Sequence, residues 1–546
     1  MTPHSINRDV RGTHTVAALC AYLVLGASVP NTTAQESALV RLTTAQYEHS
    51  VHDIFGKSIK IDGGIVDPGM RENGLLALGS RKLTLSAAAL ERYESLARQV
   101  ATQVTDRRHR ATLIPCKPQT ETAPDPECAS QFIDRAGLFL FRRPATNAEV
   151  QSYVSMAGSA TETLGDFYDG LGAALVGMLV APDFLFRVER TEPDPSQPDT
   201  QRLDAYSRAS RLSFFLWNTT PDAELLAAAE SGALDSDAGL QQQIDRLLSS
   251  RRSADGLRAF FSDMLGFDGF ATLSVDASLY PKFTKNVADD AREQTLRTLV
   301  QHLLDKNADY RDLFVTRDTF LTPALAAVYG VPLPRSQELG GAVPWVPYRF
   351  PEGDPHVGLL THVSFLSLHS HPGTTSPTLR GKAVRENILC QRVPPPPGDV
   401  DFSLVQDASD PAFRTVRQRL TEHRENPTCA ACHRMTDPIG LTLEVFDTSG
   451  VYRTTENGAP IDTSGTFRRQ PYADVVELVP ILRNDPAVTS CLVNRAFSYG
   501  TARMPSTREL SWLFDTGAEL MDTEVTWRDL MRRIARNEDF YTNVFD

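Results

Sequence analysis

The chain has 546 residues, 41% of them hydrophobic and 23% charged, with a formal net charge of −13. That length exceeds what one hydrophobic core serves, so several modules are expected. The composition is that of an ordinary globular protein, and the acidic balance argues against nucleic acid or an anionic membrane as partner.

Residues 1–12 form a polar start carrying Arg8 and Arg11, and an apolar run occupies 16–27. The small residues Thr32-Thr33-Ala34 follow. This order predicts a secretory signal peptide over 1–34, since the apolar run is too short to cross a bilayer. Leu19, directly before Cys20, is too bulky for a lipid-attachment box, so lipidation is not expected. No later run approaches membrane-spanning length, and the mature protein is expected to be periplasmic or secreted.

Apolar spacing then predicts helices nearly throughout. They cover 41–55, opened by Thr43 and Thr44, then 83–104 and 131–143, with a fourth starting at Ala148 after the turn at 144–147. Further helices fit 167–188, 203–217, 223–230, 237–248, 254–265 and 288–305. Strand-like alternation is scarce. Proline-rich breaks at 192–198, 332–334 and 394–397 mark module boundaries or spacers.

Near the end stands Cys429-Ala430-Ala431-Cys432-His433, a Cys-x-x-Cys-His motif of the kind that attaches c-type haem. Two thiols one helical turn apart reach the two vinyl groups of one porphyrin, and the adjacent imidazole becomes the proximal iron ligand. Zinc is the chemical rival, because Cys-x-x-Cys is also half of a zinc site and His423 lies upstream. A structural zinc site would want four ligands, and no second pair follows the motif. One covalent haem held by Cys429, Cys432 and His433 is the expected cofactor.

Beyond Cys20 and the motif, four cysteines remain. Cys116 and Cys128 bracket a polar, proline-rich loop, which suggests a local disulfide, and Cys390 is left for Cys491. Both bridges fit an oxidising compartment. Candidates for the second axial ligand are Met504, His423, and the pair His369 and His371. His423 continues the inward stripe of Phe413, Val416 and Leu420. Met435 lies too close to His433 to reach the opposite haem face. An open iron is the remaining case.

Five stretches invite comparison with a family. They are 41–47 (RLTTAQY) with 53–56 (DIFG), Phe141-Arg142-Arg143-Pro144, and 209–217 (ASRLSFFLW) with 221–225 (PDAEL). The fourth is 358–361 (GLLT) with 375–377 (TSP) and 380–382 (RGK). The fifth is the Cys-x-x-Cys-His motif, extended by Asp437-Pro438-Ile439-Gly440, with 499–503 (YGTAR) near the end. As a set they resemble large exported proteins of planctomycete and myxobacterial type, built from consecutive modules of unknown function around a cytochrome-c-like module. Many such proteins carry a further N-terminal cytochrome domain, for which no motif stands here, so a single haem is expected. The resemblance implies a module order and supplies no reaction.

The expected fold is mainly α, a multi-module helical protein with a C-terminal cytochrome-c-like module. The divisions drawn are a signal peptide (1–34), an N-terminal helical module (35–110), and a helical module with Cys116 and Cys128 (111–195). A central helical module (196–335), the haem module (336–455) and a C-terminal helical module (456–546) follow. The expected function is periplasmic redox chemistry by a monohaem oxidoreductase with an unidentified redox partner and scope for a small-molecule substrate. The alternatives are an electron-transfer cytochrome without substrate chemistry of its own, and a scaffold or surface protein in which haem or zinc is structural. Size favours the enzyme over a bare carrier, because small cytochromes need only about 100 residues.

Overall fold

The computed structural model describes residues 38–64, 69–83, 85–195, 200–333, 345–395, 413–425 and 427–542. The expected signal peptide and Cys20 lie outside them. The described chain is mainly α, with strands confined to five two-stranded antiparallel ladders among the described residues. No helix among them is long and apolar enough to cross a membrane.

The first strand, β1 (Ala38–Arg41), pairs antiparallel with β2 (Phe186–Glu189), Ala38 opposite Glu189 and Arg41 opposite Phe186. Helix α1 (Thr44–Phe55) therefore starts three residues later than its spacing suggests. Thr43 caps it with a reciprocal bond to Gln46. Helices α2 (Ala87–Thr105), α3 (Pro126–Leu140), α4 (Asn147–Leu164) and α5 (Phe167–Leu179) follow, capped by Ser86, Asp125, Thr146 and Asp166. The helix expected over 167–188 is cut short, because Pro182 begins a separate turn that turns into β2. One buried cluster joins these elements, with Tyr47 and Val51 of α1, Tyr93 and Leu96 of α2, Phe132 of α3 and Leu175 of α5. The Cys116–Cys128 disulfide closes the loop before α3.

A second, larger cluster takes in Leu75 and Leu78 and then α6 (Ala205–Trp217), α7 (Ala223–Glu230), α8 (Asp237–Ser249) and α9 (Ser253–Met264). Helix α10 (Lys285–Val300) runs directly into one π-helical turn, Gln301–Asp305. The same core takes in Ile439, Leu443 and Phe446 and the last helices, α15 (Pro486–Thr501), α16 (Thr507–Met521) and α17 (Trp527–Arg536). Between them lie α11 (Pro377–Ala383), α12 (Val416–Glu425), α13 (Pro427–Leu441) and α14 (Val475–Arg483).

A buried charge cluster ties the elements of the first hydrophobic cluster to those of the second. Glu189, at the end of β2, takes Nε and Nη2 of Arg211 on α6 at 2.9 and 2.6 Å. Arg187 and Arg81 approach the same carboxylate, each at 3.1 Å. Arg211 also donates to the carbonyl of Phe540, and Arg187 to that of Gly500. Burial alone would raise the Glu189 pKa, but the surrounding guanidiniums override it and bring the carboxyl down to about 2. A second bridge, Cys390–Cys491, spans 101 residues and fastens the segment before the Cys-x-x-Cys-His helix to α15.

Candidate functional site

Cys429, Cys432 and His433 all stand on α13. At about 100° per residue the three side chains fall within one arc of the helix, and Asp437, one turn further, falls on the same side. Proline opens α13 at its first position, where the missing N–H costs nothing. A second proline, Pro438, sits inside the helix and removes one ladder donor. Side chains serve the carbonyls around it: Arg385 donates to Met435 O at 2.9 Å, and the Tyr472 hydroxyl to Pro438 O at 2.6 Å.

α13 is held by an unusually close neighbour. A Cβ on Gly440 would lie 1.7 Å from the Pro377 carbonyl oxygen, and one on Gly381 1.9 Å from that of Thr436. Glycine at both positions lets the backbones of α11 and α13 touch, running antiparallel. α12 packs through Val416 and Leu420 against Leu441 at the end of α13.

The motif residues keep distinct surroundings. Both thiols are unpaired and half-buried, although the other four described cysteines are bridged. The Cys432 thiol donates to Pro394 O at 3.6 Å. His433 Nδ1 donates to Asp437 Oδ2 at 2.9 Å. That carboxylate is fully buried, and its other oxygen accepts from Thr378 of α11 and from Thr436, each at 3.1 Å. A buried carboxylate on Nδ1 fixes the ring's orientation and directs the lone pair to Nε2, the arrangement that makes imidazole a strong metal donor.

Among the described residues no three His, Cys, Asp or Glu side chains converge as a metal-binding group. The donor set of the motif, two thiols and one imidazole on one arc of α13, is of the kind that haem attachment takes. Thioether attachment needs two thiols at separate points and one imidazole, whereas zinc needs its ligands gathered within about 2.3 Å of a single ion.

The candidates for the second axial position are scattered. Met504 follows α15 at the turn into α16 and is 51% exposed. His371 is exposed in a tight turn bridged to Thr374. His369 is half-buried with its ring 4.8 Å from Phe365. Burial, aided by the Arg380 charge, pushes its pKa down to about 4, so the ring is neutral near pH 7. The side chain of His423 lies outside the described residues, though its backbone belongs to α12.

Sequence reading passed over the roles of Asp437 and Thr378. The first was legible in principle, since position i+4 from His433 shares its helical face. The second comes from another helix, 59 residues away, and carried no local signal.

Three family models match the chain. The one described as PSD5, a protein of unknown function (DUF1595), covers residues 128–189. PSD4, of unknown function (DUF1592), covers 203–331. PSCyt3, of unknown function (DUF1588), covers 356–456, the stretch that contains α13 and its motif. These are domains typical of planctomycete-type multi-module cytochrome-c-like proteins. No curated protein and no solved structure matches the chain.

Proposed function

We propose that this protein is an exported oxidoreductase carrying one c-type haem, with Cys429 and Cys432 as its covalent anchors and His433 as the proximal ligand. When bound, the haem supplies one-electron chemistry at its iron. The observation that carries the oxidoreductase reading is the His433–Asp437 pair at 2.9 Å. A hydrogen-bonded carboxylate increases the donor strength of the imidazole and favours the ferric state, the electronic setting for substrate chemistry at iron. A carrier of high potential is built the opposite way, with a Met/His ligand set that favours the ferrous state.

The protein's own groups support this reading in three ways. Asp437, buried against α11, holds the imidazole at a fixed angle. Cys429 and Cys432 are left out of both disulfides, and that pair of disulfides suits an oxidising compartment. The test is the optical spectrum of the ferrous protein with and without carbon monoxide. An accessible iron gives a prompt Soret shift on adding the gas. A low-spin spectrum indifferent to carbon monoxide would make the protein an electron carrier instead.

A further inference from the structure

Asp437 has more than one partner, and the partners are not equivalent. Its Oδ2 holds His433, while its Oδ1 accepts from Thr378 and Thr436. The Thr436 hydroxyl carries a single proton and faces two acceptors, Asp437 Oδ1 at 3.1 Å and its own helix carbonyl, Cys432 O, at 3.2 Å. Thr378 has Asp437 as its sole side-chain acceptor among the described residues. It is therefore the committed donor.

Thr378 is also held in place. Pro377 and Ser376 set the start of α11, with Ser376 Oγ accepting from Leu379 N. At Gly381 and Gly440 the backbones of the two helices approach so closely that an added Cβ would clash with the facing carbonyl. A side chain on one helix thus meets a carboxylate on the other at a fixed distance.

We propose that Thr378 is a positioning residue that tunes the proximal histidine through Asp437, an inference that rests on the haem reading above. A hydroxyl donating to Oδ1 draws negative charge away from the oxygen that faces His433. The carboxylate then pulls less strongly on the Nδ1 proton, and the imidazole is a weaker donor than Asp437 alone would make it. Removing the hydroxyl should strengthen the pull and favour ferric iron. Removing the carboxylate should do the reverse.

The test uses the full-length haem-loaded protein and its Thr378→Val, Thr378→Ala and Thr378→Ser variants, read by midpoint potential in a redox titration. Thr378→Val and Thr378→Ala should lower the ferrous-to-ferric ratio at a fixed ambient potential by about threefold to tenfold. That is a downward shift of about 30–60 mV, at about 59 mV per tenfold for one electron. Thr378→Ser, which keeps the donor, should stay at the wild-type value. An unchanged potential in both Val and Ala variants, or an upward shift, would overturn the proposal, because Thr378 would then be filler or merely an orienting group. A chain that binds no haem refutes the haem reading, not this one. The inference remains open to test there, since ¹⁵N-histidine spectra of the same variants should show the His433 Nδ1 proton moving downfield, and an unmoved or upfield-moving proton would refute it.

Discussion

Replacing Glu189 by Gln should destabilise the whole fold, and the size of the effect can be worked out in two ways. In the native protein one carboxylate with no exposed surface faces Arg211, Arg187 and Arg81 at 2.6–3.1 Å. Removing one member of a buried, hydrogen-bonded ion cluster costs about 3–5 kcal/mol. The second route is the carboxyl pKa, which falls from 4.5 to about 2 on folding. At about 1.4 kcal/mol per unit, that is about 3 kcal/mol in favour of the ionised folded state. Because the folded pKa is the lower one, this contribution is complete above about 4.5 and fades as the pH falls toward 2. Urea titrations of wild type and Glu189→Gln should therefore differ by about 3–5 kcal/mol at pH 7, and the gap should narrow at pH 3. A variant as stable as wild type at pH 7, or a gap independent of pH, would refute the assignment of Glu189 as the charge that joins the two hydrophobic clusters.

Asp437→Asn should raise the haem midpoint potential by about 60–120 mV, the equivalent of a 10–100-fold loss of ferric preference, with haem content retained; a redox titration checks it, and an unchanged potential would remove the basis for the oxidoreductase reading. Cys390→Ser should lower stability by about 2–4 kcal/mol in denaturant titrations, since the bridge it removes closes a loop of 101 residues. Free thiols at Cys390 and Cys491 in non-reducing peptide maps of the wild type would contradict that bridge.

Much of the secondary structure was legible because its signals are local. Helix α7 falls where Asp222 and the run after it place it, and α6 ends at Trp217, where Asn218 turns left-handed. The errors sit where a partner distant in sequence decides. Arg41 reads as the start of a helix but lies in a strand, because β2, about 145 residues on, offers it a ladder. The pairing of four cysteines was legible once Cys429 and Cys432 of the Cys-x-x-Cys-His motif were set aside. The cluster around Glu189 was not, since Arg81, Glu189, Arg211 and the carbonyls of Gly500 and Phe540 come from five separate segments and carry no shared period. In the candidate site, the three motif residues announce themselves, whereas Thr378 reaches Asp437 only through the close approach of α11 and α13 at Gly381 and Gly440.

The central claim is that Cys429 and Cys432 carry haem covalently. It is tested most directly on the full-length chain produced in a host that has c-type maturation, denatured and extracted with acidified acetone. The account predicts that the chromophore stays with the polypeptide, gives a c-type pyridine haemochrome at one haem per chain, and is lost when both cysteines are changed to serine. Haem that passes into the acetone, or a purified chain with stoichiometric zinc and no haem, would contradict it.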